Sequence, residues 1–240
     1  MIIEPQLLDT ALAAASEVGL DKSKVFAFDA YTANTHDDVR SWNDIISHGE
    51  KDWVKVADPS TTIAQYASTS GTSGLPKAAK LSHNFHVSQA SFRCVENLPY
   101  KSVRLTALPP FHVFGTPIVP SSVRQGYATY VMRRFEMKPF IEHIENFGIS
   151  ETWVPPPVLV GMQQSPHCTE NALRTLRQIW FGGAALKYSN QQPLYKFLHP
   201  DAIIQPVWGM TEAGWITAGT WPEKHIDDSV GRPLPGFLVK

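Results

Sequence analysis

The chain has 240 residues, 43% of them hydrophobic, and its 21 lysines and arginines against 22 acidic residues leave a formal net charge of -1. That composition is ordinary for a globular protein, and the near-neutral balance excludes the broad basic surface used by nucleic-acid and anionic-membrane binders. A phosphate-bearing ligand would have to be held by local geometry instead.

Helix-like and strand-like stretches alternate along the chain. Residues 5–18 carry a helical stripe of Leu8, Leu12 and Ala15 behind Pro5, a residue suited to a first turn. Residues 25–28 predict a short strand, and residues 40–48 a helix with Trp42, Ile45 and Ile46 turned inward. Residues 63–67 read as a strand running into a Gly/Ser/Thr loop, after which Ser82 can cap a helix from His83 to about Val95. Strands are predicted at 103–108 and 128–132, then an amphipathic helix at 138–147 with Phe140, Ile141, Ile144 and Phe147 on one face. A strand at 152–154 precedes a helix opened by Pro157, and strands at 177–181 and 202–207 end at Gly182-Gly183 and Trp208-Gly209. Repeated βα units predict an α/β fold with a mainly parallel sheet flanked by helices. In such sheets ligands collect at the carboxyl ends of the strands.

Pro109, Pro110, Pro117 and Pro120 interrupt the most apolar stretch, so no membrane span is expected. Glu4 and Asp9, with no basic residue before the apolar part, argue against a secretory leader. The two cysteines, Cys94 and Cys168, lie far apart and fit a reducing, cytoplasmic setting better than a disulfide framework.

The strongest chemical signal is Thr69-Ser70-Gly71-Thr72-Ser73-Gly74-Leu75-Pro76-Lys77, directly after a strand. Its glycines let backbone approach an anion closely, its hydroxyls supply donors to phosphate oxygens, and Lys77 adds a point charge. The spacing is not that of a Walker loop, and Ala78 stands where Ser or Thr would hold magnesium. At these residues the chain resembles the adenylate-forming superfamily of acyl-CoA synthetases, luciferases and peptide-synthetase adenylation domains. Their phosphate loop reads Thr-Ser-Gly-Thr-Thr-Gly-x-Pro-Lys. Here Ser73 replaces a threonine, and Ala78 replaces the usual glycine after the lysine.

The resemblance implies further motifs downstream, and the chain carries them. Leu108-Pro109-Pro110-Phe111-His112-Val113-Phe114 is similar to the family segment whose histidine lines the acyl-adenylate site, making His112 and Phe114 substrate-binding candidates. Phe181-Gly182-Gly183-Ala184-Ala185-Leu186 resembles the turn whose backbone borders adenine, which points to Gly183 and Ala184. Trp208-Gly209-Met210-Thr211-Glu212 resembles the aromatic-Gly-x-Thr-Glu motif. There the aromatic ring packs on adenine, the threonine donates to the α-phosphate, and the glutamate holds Mg²⁺. By this resemblance Lys77, Thr211 and Glu212 are the catalytic candidates, and Glu212 is the metal ligand. Pro206-Val207 replaces the Gln-Gly common in coumarate-CoA ligases.

Met132-Arg133-Arg134-Phe135-Glu136 is similar to a segment of the acyl-CoA ligase branch in which the basic residue contacts CoA, a role that falls to Arg134. Residues 154–156 and 229–236 also read like that branch. The implied reaction is ATP-dependent activation of a small carboxylic acid as acyl-AMP, followed by transfer to CoA. ATP, Mg²⁺ and CoA are the expected cofactors and co-substrates. A carrier-protein-dependent adenylation domain and an inactive nucleotide-binding remnant are the alternatives. Residues 1–240 correspond to the middle of the family's large N-terminal domain. The resemblance implies that the ribose-binding aspartate and the C-terminal catalytic-lysine domain lie outside this sequence.

Overall fold

The computed structural model describes residues 1–29, 39–69, 74–92 and 98–240. They belong to two compact units, Met1–Lys55 and Val56–Lys240. In the first, β1 (Ile2–Ile3), β2 (Phe26–Ala27) and β3 (Arg40–Ser41) form a small parallel sheet. Helix α1 (Leu8–Glu17) sets Leu8, Leu12 and Ala15 against Val25, Ala27 and Val39, as its stripe predicts. Helix α2 (Trp42–Ile46) is shorter than the expected 40–48. The Ser41 hydroxyl accepts the Asn43 N–H at 3.0 Å, and the Asp44 carboxylate accepts the Ser41 N–H at 3.1 Å. That capping box starts the helix after Ser41, leaving Arg40–Ser41 to pair as a strand. Ile46 does not turn inward; it is 55% exposed.

In the second unit, β4 (Ile63–Thr69) and β5 (Lys77–Ser82) pair as an antiparallel hairpin. Strand β5 is not expected from the sequence. It holds two lysines and two alanines and buries Leu81 alone, so its apolar signal is weak. Helix α3 (His83–Phe92) follows without a loop, and the Ser82 hydroxyl caps it by accepting the Phe85 N–H at 3.2 Å. Cys94 and the predicted helix end near Val95 lie outside the described residues.

A seven-stranded sheet makes up most of this unit. Its strands are β6 (Val103–Thr106), β7 (Ala128–Val131), β8 (Glu151–Val154), β9 (Gln178–Gly182), β10 (Ile203–Met210), β11 (Gly214–Ala218) and β12 (Arg232–Pro233). They lie in the order β12-β11-β10-β9-β8-β6-β7. Strands β7 to β10 and β6 run parallel, whereas β11 and β12 are antiparallel additions at one edge. The chain winds outward from β6 to β7, then crosses back to β8. The switch point therefore lies between β6 and β8, where ligands collect in open α/β sheets.

Alternate residues along each strand face opposite sides. On one side, Leu105, Val154, Ile179, Phe181 and Ile204 form a single core with α5 (Met137–Phe147), α6 (Pro156–Gln164) and α7 (Glu170–Leu173). Helix α5 contributes Phe140, Ile141 and Ile144, all at most 1% exposed. Phe147 departs from the expected stripe. It is 43% exposed and stacks on Tyr130 at 4.3 Å.

The other side carries Trp153, Trp180 and Val207 with Phe114, Trp215 and α4 (Ile118–Gln125). Trp153 and Trp180 are register partners and stack at 4.9 Å. Nearby, Arg104 of β6 donates to Glu151 of β8 at 3.0 Å, with both side chains at most 2% exposed. Among the described residues no helix is long and apolar enough to cross a membrane.

Candidate active site

Strands β9 and β10 run parallel, so their carboxyl ends open on the same edge of the sheet. A cavity of about 600 Å³ lies there, lined by Gly183, Ala184, Ala185, Trp208 and Gly209 among others. Strand β9 ends at Gly182, and the chain turns away through Gly183 at φ 90°, a left-handed conformation that favours glycine. The turn leaves Gly183 and Ala184 exposed, with the rim of the cavity built from backbone and small side chains. Trp208 is 46% exposed, which is unusual for so large an apolar ring and leaves surface for a flat ligand.

Asp228, Ser229 and Val230 also line the cavity, and the sequence does not single them out as binding residues. The Asp228 carboxylate accepts the Tyr188 N–H at 2.6 Å, tying this part of the lining to the chain leaving the Gly183 turn. Its only local signal is a polar run, Asp227-Asp228-Ser229, ahead of Gly231. Along the chain only Ser229 and Val230 are noticed, as the start of the 229–236 branch segment, and not as a cavity lining.

Trp208-Gly209 does not end the strand as expected. Strand β10 continues to Met210, turns through residues 211–213 and pairs with β11, with a register shift between Trp208 and Gly209. Thr211 and Glu212 thus sit on a hairpin turn, the threonine half-buried and the glutamate exposed.

The predicted phosphate loop closes the other hairpin. Thr69 and Lys77 are register partners across β4 and β5, so both ends of the loop are held together. Gly74 and Lys77 are exposed, and Ser70, Gly71, Thr72 and Ser73 lie outside the described residues.

His112 comes six residues after the carboxyl end of β6, one of the two strands that flank the switch point. Its ring Nδ1 accepts the Phe114 N–H at 3.2 Å, so in the neutral ring the proton is on Nε2. Phe114 is not at an open surface. It is 6% exposed, lies 5.5 Å from the Trp215 ring, and packs so closely on β9 that a Cβ added to Gly182 would come within 3.3 Å of it. Arg134 belongs to a different cavity, of about 490 Å³, beside the carboxyl end of β7 with Tyr130, His143 and Phe147. The structure therefore gathers Gly183, Ala184 and Trp208 around one cavity, puts Thr211 and Glu212 on the adjoining hairpin, and keeps Arg134 apart.

Residues 5–240 match the AMP-binding enzyme family, which is almost the whole sequence and includes both units. The chain belongs to that family. Among curated proteins, it is 34% identical over 248 residues to the acyl-CoA synthetase ACTT5 of Alternaria alternata, covering 100% of this chain and 43% of that one. It is 33% identical over 257 residues to the phenylacetyl-CoA ligase epaB of Aspergillus niger, covering 100% of this chain and 46% of the relative. The chain thus spans less than half the length of these relatives. Among solved structures, ATP-bound MatB from Rhodopseudomonas palustris superposes with a TM-score of 0.79 at 20% identity, over 98% of this chain and 44% of that one. The AMP-binding fold expected from the phosphate-loop and Trp208–Glu212 motifs is the fold observed.

Proposed function

We propose that this AMP-binding protein activates a small carboxylic acid with ATP and passes the acyl group to CoA. One observation carries the reading. Two segments that sequence motifs assign to adenine, Gly183-Ala184 and Trp208, line the same cavity at the carboxyl ends of neighbouring parallel strands. In this reading adenine stacks on Trp208 against the Gly183-Ala184 backbone, and the Thr211 hydroxyl donates to an α-phosphate oxygen. Lys77 and the hairpin loop that it closes hold the outer phosphates.

A carboxylate oxygen attacks the α-phosphorus, and pyrophosphate leaves. The CoA sulfur then attacks the acyl carbon, and AMP leaves. The first step brings two anions together, so preorganised donors and cations around the phosphates contribute most to its rate. Among the described residues no cluster of His, Cys, Asp and Glu forms a metal cage. Magnesium does not need one, because it binds through one or two carboxylates, phosphate oxygens and retained water. An exposed Glu212 on the turn beside Thr211 fits that donor set. Magnesium bound there would neutralise phosphate charge. Arg134, with Tyr130 and Phe147 beside it, is the proposed contact for CoA. Aromatic acids of phenylacetate size are the first substrates to test, given the 33% identity to a phenylacetyl-CoA ligase.

The test is ATP-Mg²⁺ binding by Trp208→Ala, with pyrophosphate exchange on phenylacetate as the activity readout. Base–aromatic stacking contributes about 1–3 kcal/mol in nucleic-acid complexes, so the variant should lose roughly 5- to 150-fold in affinity. Unchanged affinity in a folded Trp208→Ala protein would remove adenine from this cavity.

A further inference from the structure

The motifs assigned to phosphate lie on two separate hairpins, and one buried side chain joins them. Gln89 is in α3, the helix that continues directly from β5 and hence from Lys77. It is 5% exposed, and its amide reaches across to the hairpin of β10 and β11. Oε1 accepts the Trp215 N–H at 2.8 Å, while Nε2 points at the carbonyls of Trp215 and Ala213, at 3.4 and 3.5 Å. Ala213 and Trp215 flank Gly214, which ends the turn bearing Thr211 and Glu212. The fit leaves no slack, since a Cβ on Gly214 would lie 2.6 Å from both amide heteroatoms of Gln89.

A glutamine is costly to bury unless it is hydrogen-bonded, and a leucine or methionine would fill a helix-to-strand contact without that requirement. What the amide adds is registration. It ties the backbone of one hairpin to a helix that continues directly from the other. The Trp215 indole extends the tie by donating to the Val113 carbonyl at 3.2 Å, next to His112.

We propose that Gln89 is a positioning residue, setting the Thr211-Glu212 turn against the phosphate-loop hairpin so that both meet one polyphosphate. This rests on the nucleotide reading above. It makes a demand that a purely structural role does not: loss of the clasp should weaken ATP through its phosphates and spare adenosine, whose proposed cavity Gln89 does not line.

The experiment measures adenosine and ATP-Mg²⁺ affinity, by calorimetry or tryptophan emission, for wild type, Gln89→Met and Gly214→Ala. Gln89→Met keeps the length and removes the hydrogen bonds; Gly214→Ala displaces the same amide from the other side and also strains the backbone at Gly214, whose φ is 75°, a cost that the Gln89→Ala background separates from the overlap. Both variants should lose roughly 5- to 10-fold for ATP, about the worth of one ordinary hydrogen bond, with adenosine within about 2-fold of wild type on that scale. In a Gln89→Ala background, Gly214→Ala should cost less ATP affinity than it does alone, because the overlap is gone. Wild-type ATP affinity in either folded variant, or equal losses for ATP and adenosine, would overturn the proposal. If Gln89→Met does not fold, the Gly214→Ala ratio and its dependence on Gln89 decide the matter. If the wild-type chain binds neither ligand, the nucleotide reading itself falls.

Discussion

The buried pair of Arg104 and Glu151 gives the sharpest stability prediction. Its side chains are 2% and 1% exposed and meet at 3.0 Å. Glu151→Leu would strand the guanidinium inside the sheet face. Arg104 would keep the Ser122 hydroxyl at 2.9 Å and the Tyr127 ring at 4.7 Å, but no counter-charge on this network. Breaking a buried pair on one side costs about 3–5 kcal/mol, a large share of the ~5–15 kcal/mol that holds a domain together. At about 2–4 °C per kcal/mol for a domain of this size, the Tm should fall by roughly 6–20 °C.

The double variant Arg104→Met/Glu151→Leu should recover most of that loss, because apolar replacements of a buried pair are often neutral. Ser121 and Ser122 also donate to the Ile118 carbonyl, at 2.9 and 2.7 Å, so neither is stranded. The half-buried Tyr100 hydroxyl loses Glu151 as its acceptor at 3.3 Å and still accepts from Gln178 at 2.6 Å. Urea and thermal unfolding of both singles and the double complete the cycle. A Glu151→Leu variant within about 1 kcal/mol of wild type, or a double no more stable than Glu151→Leu, would refute the reasoning.

Two further outcomes follow from titrating groups. The Ser60 and Thr61 hydroxyls and the Ser60 N–H hold the Asp58 carboxyl down, at about 2. A lowered folded-state pKa means that its stabilising effect is complete above the ordinary value of 3.8 and is lost as pH falls through about 2. An NMR titration of the carboxyl carbon should find that midpoint, and one near 4 would sink the assignment. Burial pushes the Cys168 thiol up to about 11. In a Cys94→Ser background, alkylation at pH 8 should therefore run at least ~100-fold slower in the folded chain than in urea. Comparable rates would show that the thiol is open to solvent.

Much of this protein can be read along the chain because its signals are local. The helical stripe of Phe140, Ile141 and Ile144 carries its burial in its own periodicity, and β8 and β9 declare themselves as short apolar runs, although the burial of Glu151 and Gln178 within them is not legible locally. The predicted phosphate loop and the Trp208–Glu212 motif are contiguous strings, so they can be nominated as candidates without the fold. Local reading fails wherever a segment's state depends on a partner distant in sequence. Trp208-Gly209 resembles a strand end because glycine usually punctuates, yet the ladder with β11 carries the strand through it. Lys77–Ser82 has too few apolar residues to declare itself a strand without β4 beside it.

The site divides in the same way. Residue types at fixed spacing are enough to mark Gly183, Ala184, Trp208, Thr211 and Glu212 as candidates. Parallel pairing of β9 with β10 brings Gly183 and Trp208 to one cavity, and the chain beyond β11 adds Asp228 to its lining. Nothing in the residues around Gln89 marks it, since its partners are the backbone of a hairpin over 120 positions later. Backbone N–H and C=O groups are the same at every residue, so which side chain they bind is decided by tertiary contact and not by local sequence.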